Sequence, residues 1–166
     1  MKEIKLTQGY VALVDVDDFE FLNQFKWHVR DGNGHNKYAI KNISVNNERI
    51  ACRMHRVIME APKGVEVDHI DHNGLNNQKS NLRLCSTSQN AMNRKARGSS
   101  KYLGVYIVKI KGKNKTYEYF KAQINTNGKY KSLGYFKSEE IAAKTYDEAA
   151  KNYHGEFANL NFKQDE

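Results

Sequence analysis

The sequence predicts an α+β protein in two small units: a strand, polar loop, strand and helix carried on a β-rich scaffold, then a three-stranded antiparallel sheet packed on one helix. Short apolar runs of strand length outnumber helical stripes along the 166 residues. Asn127-Gly128 stands between two alternating runs and is the strongest short hairpin signal, because both central positions of that tight turn need positive φ. The small, basic stretch Arg97-Gly98-Ser99-Ser100-Lys101 reads as a linker and divides the chain into 1–97 and 98–166. Each part can bury only a modest core.

In order along the chain, Gly9-Tyr10-Val11-Ala12-Leu13-Val14 reads as a strand. Asp17 or Asp18 then caps a short helix in which Phe21 and Phe25 fall at i, i+4 beside Leu22. Trp27 and His28 follow its apolar stripe and are expected to pack. Tyr38-Ala39-Ile40 and Arg49-Ile50-Ala51-Cys52 are further strands, separated by the turn-prone Val45-Asn46-Asn47-Glu48. A short helix over 55–59 ends at Pro62 and Gly64. Residues 65–71 form a strand, 73–80 an asparagine-rich loop, 81–85 a second strand and 88–94 a helix, a compact ββα unit with its core over about 64–95.

In the second part, Phe120, Ala122 and Ile124 alternate with Tyr119, Lys121, Gln123 and Asn125, so one face of the strand 116–126 is core and the other polar. Pairing across a two-residue turn with 129–136 puts Leu133 opposite Ala122 and Tyr135 opposite Phe120. Ser138 caps a helix that opens with Glu139-Glu140, acids favoured by the dipole, and Gly155 stops it. Its stripe of Ile141, Ala142, Thr145, Tyr146, Ala149 and Tyr153 is expected on the core face of the sheet.

Lys plus Arg number 27 against 19 Asp plus Glu, a formal charge of +8. Ten of the positives fall within residues 72–117, which contain no acid, and the remainder is faintly acidic. No amphipathic apolar face accompanies this block, so it reads as the footprint of a nucleic acid before that of a membrane. Cys52 and Cys85 form no C-x-x-C, the N-terminus is too polar for a signal peptide, and no apolar run approaches the roughly 20 residues of a membrane span. The expectation is a reduced, cytoplasmic protein with no membrane partner.

The residues with chemistry cluster in the ββα unit. Asp68-His69 on a strand, Asn81 and Asn90 would bring an imidazole, a carboxylate and two amides together if the unit closes. That set suits phosphodiester hydrolysis. His titrates near neutrality and serves as general base without large tuning. Mg²⁺ keeps several waters and asks for one or two protein oxygens, so Asp68 and Asn90 suffice as metal ligands. Asn81 orients the histidine or ties the loop, and Arg83 is placed to contact phosphate. Asn73, Asn76 and Asn77 are read as turn formers, Asp71 as a turn cap and His55 as a packed residue. Spacings of His55, His69, His72 and the cysteines match no structural zinc site.

The elements Arg53-Met54-His55-Arg56, Glu66-Val67-Asp68-His69-Ile70-Asp71, Leu75-Asn76-Asn77, Ser80-Asn81-Leu82-Arg83, Gln89-Asn90 and Asn93-Arg94 resemble the HNH endonucleases of phage and mobile introns, the homing type. The resemblance covers about residues 50–95. It implies that His69 is the general base, Asp68 and Asn90 are metal ligands for Mg²⁺ or Mn²⁺, and Asn81 supports the site. Asn at the third signature position resembles the intron-encoded nicking subset.

Residues 100–162 resemble a second family. Ser100-Lys101-Tyr102-Leu103-Gly104-Val105, Leu133-Gly134-Tyr135-Phe136, Glu140-Ile141-Ala142-Ala143, Tyr146-Asp147-Glu148-Ala149-Ala150 and Ala158-Asn159-Leu160-Asn161-Phe162 look like the Apetala-type DNA-binding domain of plant ethylene-response factors. That resemblance implies that the sheet enters the major groove. Tyr119, Lys121, Gln123 and Asn125 would then face DNA with Tyr130 and Ser132, and Tyr106 takes a place where plant members use Arg. All seven arginines lie before residue 98, so bidentate guanine reading by Arg is absent from this half.

The functional expectation is a metal-dependent, site-specific DNA endonuclease, phage-encoded and acting in the bacterial cytoplasm on double-stranded DNA. Its DNA contacts are Arg83, Arg94, Lys95, Arg97, Lys101, Tyr106, Tyr119, Lys121, Gln123 and Tyr130. With one active site per chain, a monomer nicks one strand. The competing reading is a DNA-binding regulatory protein with an inactive nuclease unit, against which the intact Asp68, His69 and Asn90 speak. A third, an RNA-binding accessory protein, lacks a recognisable single-strand motif.

Overall fold

The structure, a computed structural model, describes residues 1–32, 36–96 and 98–162. The chain forms two compact units, Met1–Thr87 and Ser88–Glu166. The division falls within the helix that closes the expected ββα unit, ahead of the Gly-Ser linker. Arg97 lies outside the described residues. Among the described residues no helix is long and apolar enough to cross a membrane.

The first unit opens with β1 (Lys2–Lys5), which pairs antiparallel with β2 (Val11–Val14) across a 3-10 turn where Gln8 and Gly9 take positive φ. Only β2 was legible in the sequence. In β1 a single side chain, Ile4, is buried among Lys2, Glu3 and Lys5, too few for an alternation signal. Helix α1 (Val16–Leu22) buries Leu22 and stacks Phe21 edge-on against Phe25 at 5.4 Å. Asp17 and Asp18 sit in its first turn and do not cap it. The cap position is Asp15, whose carboxylate is taken by the backbone N–H of Lys79 at 2.8 Å.

Strands β3 (His28–Gly32), β4 (Asn36–Val45) and β5 (Glu48–Arg53) form the next sheet, with Asn46 and Asn47 supplying the two positive φ values of the β4–β5 turn. β3 had no sequence signal, since its Arg30 and Asp31 are exposed and its neighbours only half-buried. Helix α2 (Met54–Ile58) follows at once. Ile4, Leu6, Ala12, Val14, Leu22, Trp27, Ala39 and Met54 make the core. Trp27 is buried without loss because its Nε1 donates to the Leu22 carbonyl at 2.8 Å. Strands β6 (Glu66–His69) and β7 (Leu82–Cys85) form a two-stranded ribbon, and α3 (Thr87–Met92) comes next.

The second unit is a three-stranded antiparallel sheet of β8 (Val105–Lys111), β9 (Thr116–Thr126) and β10 (Lys129–Phe136) in the order β10-β9-β8, with α4 (Glu139–His154) on one face. The α+β class is as expected. Ser138 Oγ accepts from the Ile141 N–H, and Gly155 ends the helix at φ +55. The buried stripe of α4 is shifted from the one its sequence suggests: Ala142, Ala143, Tyr146, Asp147, Ala149, Ala150 and His154 are buried, while Ile141 and Tyr153 are about half exposed. Small alanines let the helix lie close on Val105, Ala122 and Ile124. Gly104 is required where it stands, because at φ +76 a Cβ would fall 1.9 Å from the Tyr146 ring.

The hairpin register differs from the two-residue-turn expectation. Thr126 to Gln123 pair with Lys129 to Ser132, but a bulge at Leu133 then sets Gly134 opposite Ala122, Tyr135 opposite Lys121 and Phe136 opposite Phe120. The extra residue turns both Leu133 and Phe136 toward the core and Tyr135 out to solvent, 57 % exposed. Gly134, at φ +134, accommodates the bulge.

Candidate active site

The candidate site stands at the end of β6. Antiparallel pairing sets Asp68 directly opposite Arg83 and His69 opposite Leu82. Arg56 helps to aim this strand: its guanidinium donates to the Val65, Ala61 and Pro62 carbonyls at 2.6, 3.0 and 2.9 Å and closes the turn that leads into it.

His69 is 7 % exposed, and its Nε2 lies 3.4 Å from Asn77 Oδ1. Its ring meets the His55 ring edge-on at 4.9 Å and tilts against Tyr38 at 5.9 Å. Burial lowers the His69 pKa, while the hydrogen bond to Asn77 and the charges of Asp71 and Asp68 act the other way. The net lowering favours the neutral imidazole, the form a general base needs. His55 is pushed further, to about 3, by burial first and then by His69, Arg53 and Arg56. It is a packed neutral ring, as its sequence position suggested, and its Nδ1 has no hydrogen-bond partner.

Asp68, 5 % exposed, receives the Arg83 Nε at 2.9 Å and Nη2 at 2.7 Å on one oxygen, Oδ2. Arg83, expected on phosphate, is thus engaged with the carboxylate across the ribbon. The cross-strand register sets this contact, which the linear spacing of 15 residues does not reveal.

Loop 70–81 is fastened on three sides. Asn81 accepts the Asp71 N–H at 3.0 Å and donates to Asp71 Oδ1 at 2.9 Å and the Asn76 carbonyl at 2.8 Å. Of the two roles offered for Asn81, these bonds carry the tying of the loop. Asp71 also accepts from the Asn73 N–H and Asn76 Nδ2, and these bonds outweigh burial to hold its carboxyl below the ordinary range. On the second side, β2 pairs with the loop: Leu13 N–H donates to Leu75 O and Asn77 N–H to Leu13 O, both at 2.8 Å. Third, Gly74 lies so close to β4 that a Cβ would come within 2.5 Å of the Lys37 carbonyl and 2.6 Å of the Tyr38 ring.

Asn77 is the residue that the turn-former reading missed. It is fully buried and faces His69. Its sequence signal was the apolar Leu75 in an otherwise polar loop, which packs on the first core and draws its neighbours inside.

Asn90 lies on α3, half-buried, and belongs with the second unit. Asp68 offers a carboxylate within the first unit and Asn90 an amide within the second, and among the described residues no three His, Cys, Asp or Glu side chains gather as a metal cluster. A carboxylate oxygen such as that of Asp68 is a hard donor that suits a divalent cation retaining several waters.

Within the second unit, register puts Tyr106 beside Lys121, Gln123 beside Ser132 and Asn125 beside Tyr130, all on the face away from α4. Tyr119 shares this face, and the bulge adds Tyr135 to it. Arg94 and Lys95 follow α3 and, with Tyr106 and Tyr130, line a cavity of about 370 Å³. Lys101 is exposed, its Nζ over the Tyr102 ring at 4.9 Å.

The family model for HNH endonuclease matches residues 52–92. An uncharacterized HNH endonuclease of Acanthamoeba polyphaga mimivirus is 32 % identical over 156 residues, spanning 93 % of this chain and 76 % of the relative. No solved structure matches. The Asp68-His69 strand end, its loop and the helix that follows all lie inside the matched segment, and the likeness to the viral protein runs through both units: the chain belongs to the HNH endonuclease family.

Proposed function

We propose that the protein is a site-specific DNA endonuclease of the homing type, phage-encoded and dependent on Mg²⁺ or Mn²⁺, that hydrolyses one phosphodiester bond per encounter as a monomer. The observation that carries this reading is His69, a buried imidazole at a strand end next to Asp68, in a chain of this family.

In the mechanism, His69 takes a proton from a water as the water oxygen forms its bond to phosphorus. The bond from phosphorus to the departing oxygen breaks, and the proton rests on the imidazole. Asp71 and Asp68 favour the resulting imidazolium by their charge. Asp68 and Asn90 would hold the divalent cation, which when bound supplies charge neutralisation at the phosphate and the departing oxygen. Asn81 keeps the loop in shape and does not act on the reacting atoms.

The second unit serves as the DNA-binding half, of Apetala type. Support comes from the sheet face away from α4, which presents Tyr106, Tyr119, Lys121, Gln123 and Tyr130 together. Arg94, Lys95, Arg97 and Lys101 add phosphate contacts, so binding falls steeply with salt. Arg83, which bonds Asp68, is a further phosphate contact in this reading.

Incubating supercoiled plasmid carrying the target with the protein and Mg²⁺ tests the reading. Open-circular product is expected from the wild type and none from His69→Ala, whose DNA binding stays near wild type. Cleavage by His69→Ala removes His69 as base, and linear product without an open-circular precursor overturns nicking by a monomer.

A further inference from the structure

The reaction assigned to His69 leaves open which ring nitrogen carries the basic lone pair, and the structure contains a device that chooses. Asn77 has an amide whose two ends are chemically distinct, one acceptor and one donor. Its Nδ2 donates to the Leu75 carbonyl at 3.2 Å, so its Oδ1 is the end turned to His69 Nε2, 3.4 Å away. An amide oxygen can only accept. The imidazole facing it must present N–H at Nε2, which puts the basic lone pair of the neutral ring on Nδ1. The contact is long, as catalytic hydrogen bonds without substrate often are.

Asn77 itself cannot turn. It is fully buried, and its backbone N–H donates to the Leu13 carbonyl of β2 while the Leu13 N–H holds Leu75 O, the same carbonyl that orients the amide. We propose that Asn77, braced by Leu13, is a positioning residue that fixes His69 as the Nε2–H tautomer and directs proton abstraction to Nδ1. The proposal rests on His69 being the general base. It also gives the N-terminal ribbon a task in the chemistry: β2 holds the residue that sets the tautomer.

The test uses nitrogen-15 NMR of histidine side chains in the full-length protein at pH 8, with the His69 signals assigned by their loss in His69→Ala. A protonated-type shift at Nε2 and an unprotonated one at Nδ1 are expected in the wild type. Asn77→Leu keeps the shape and loses the acceptor, and in that variant the two tautomers should mix. Its kcat on plasmid should fall about ten- to a hundredfold, the range for losing an outer hydrogen-bond partner, with KM unchanged. Wild-type protein with the proton on Nδ1 overturns the proposal, as does a folded Asn77→Leu that keeps both the Nε2–H signature and wild-type kcat. The wild-type spectrum stands whether or not Asn77→Leu folds. Because it does not use activity, an active His69→Ala would refute the base and a wrong tautomer would refute Asn77, as separate results.

Discussion

Arg83 places two N–H donors, at 2.9 and 2.7 Å, on a single oxygen of Asp68, directly across the ribbon of β6 and β7. The carboxylate is 6 % exposed at its side chain and the guanidinium 14 %, so water does little for either charge. The proposed metal ligand is therefore already compensated by a cation before any ion arrives.

Removing that cation should expose the balance. In Arg83→Met without divalent cations, the buried Asp68 carboxylate loses its guanidinium, and urea unfolding should show a loss of about 3–5 kcal/mol. Mg²⁺ should then restore more stability to this variant than it adds to the wild type. Equal Mg²⁺ effects on the two proteins would mean that the ion does not replace Arg83 at Asp68.

Asn81 separates loop architecture from chemistry. Asn81→Ala removes three hydrogen bonds, to the Asp71 N–H, Asp71 Oδ1 and the Asn76 carbonyl, which should cost about 1–3 kcal/mol. Faster amide hydrogen exchange should be confined to residues 70–81. Lost cleavage with unchanged stability and exchange would instead give Asn81 a direct part in the reaction.

Acid should weaken the first unit through its paired histidines. His55 falls to about 3 in the folded protein and His69 is also lowered, both by burial first, while in the unfolded chain they take protons near 6.5. The unfolded state thus binds more protons below 6.5, and stability is full above that value and declines as pH falls toward about 3. The limiting slope is about 1.4 kcal/mol per pH unit for each group. Thermal melts from pH 7 to pH 4 should show the decline, and His55→Phe should flatten it. A parallel decline in His55→Phe would show that His55 does not contribute.

The bulge at Leu133 carries its own consequence for DNA. It turns Tyr135 to the face that holds Tyr106, Tyr119 and Lys121. Tyr135→Ala should weaken binding to target DNA several-fold in a mobility-shift titration and leave the melting temperature within about 2 °C, since an exposed side chain carries little packing. Undiminished binding would remove this face, or this tyrosine, from the interface.

Much of the protein could be read from short-range pattern. Asn127-Gly128 makes the hairpin turn, Ser138 and Gly155 bound α4, and Phe120, Ala122 and Ile124 line the core face because side chains alternate along any strand. The loop and Asp71 as a turn cap were legible for the same reason, each being encoded within a few residues, whereas the strand expected over 65–71 ends earlier, at His69. β1 and β3 were not, because each buries too few side chains to show a period.

What tertiary structure decided was partnership. Asn77 and Asn81 are the same residue type in the same loop, and local sequence cannot say which faces the imidazole. The choice is made by Leu13, about sixty residues earlier in the chain, which pairs with the loop and carries Asn77 inside. Arg83 and Asp68 likewise meet because two strands pair in one register, and Tyr135 changes face because one extra residue enters another. Sequence by itself determined which groups are available and which local shapes carry them. Packing determined which buried donor meets which buried acceptor, since a polar group withdrawn from water must take its partner from whatever part of the chain the fold brings within reach.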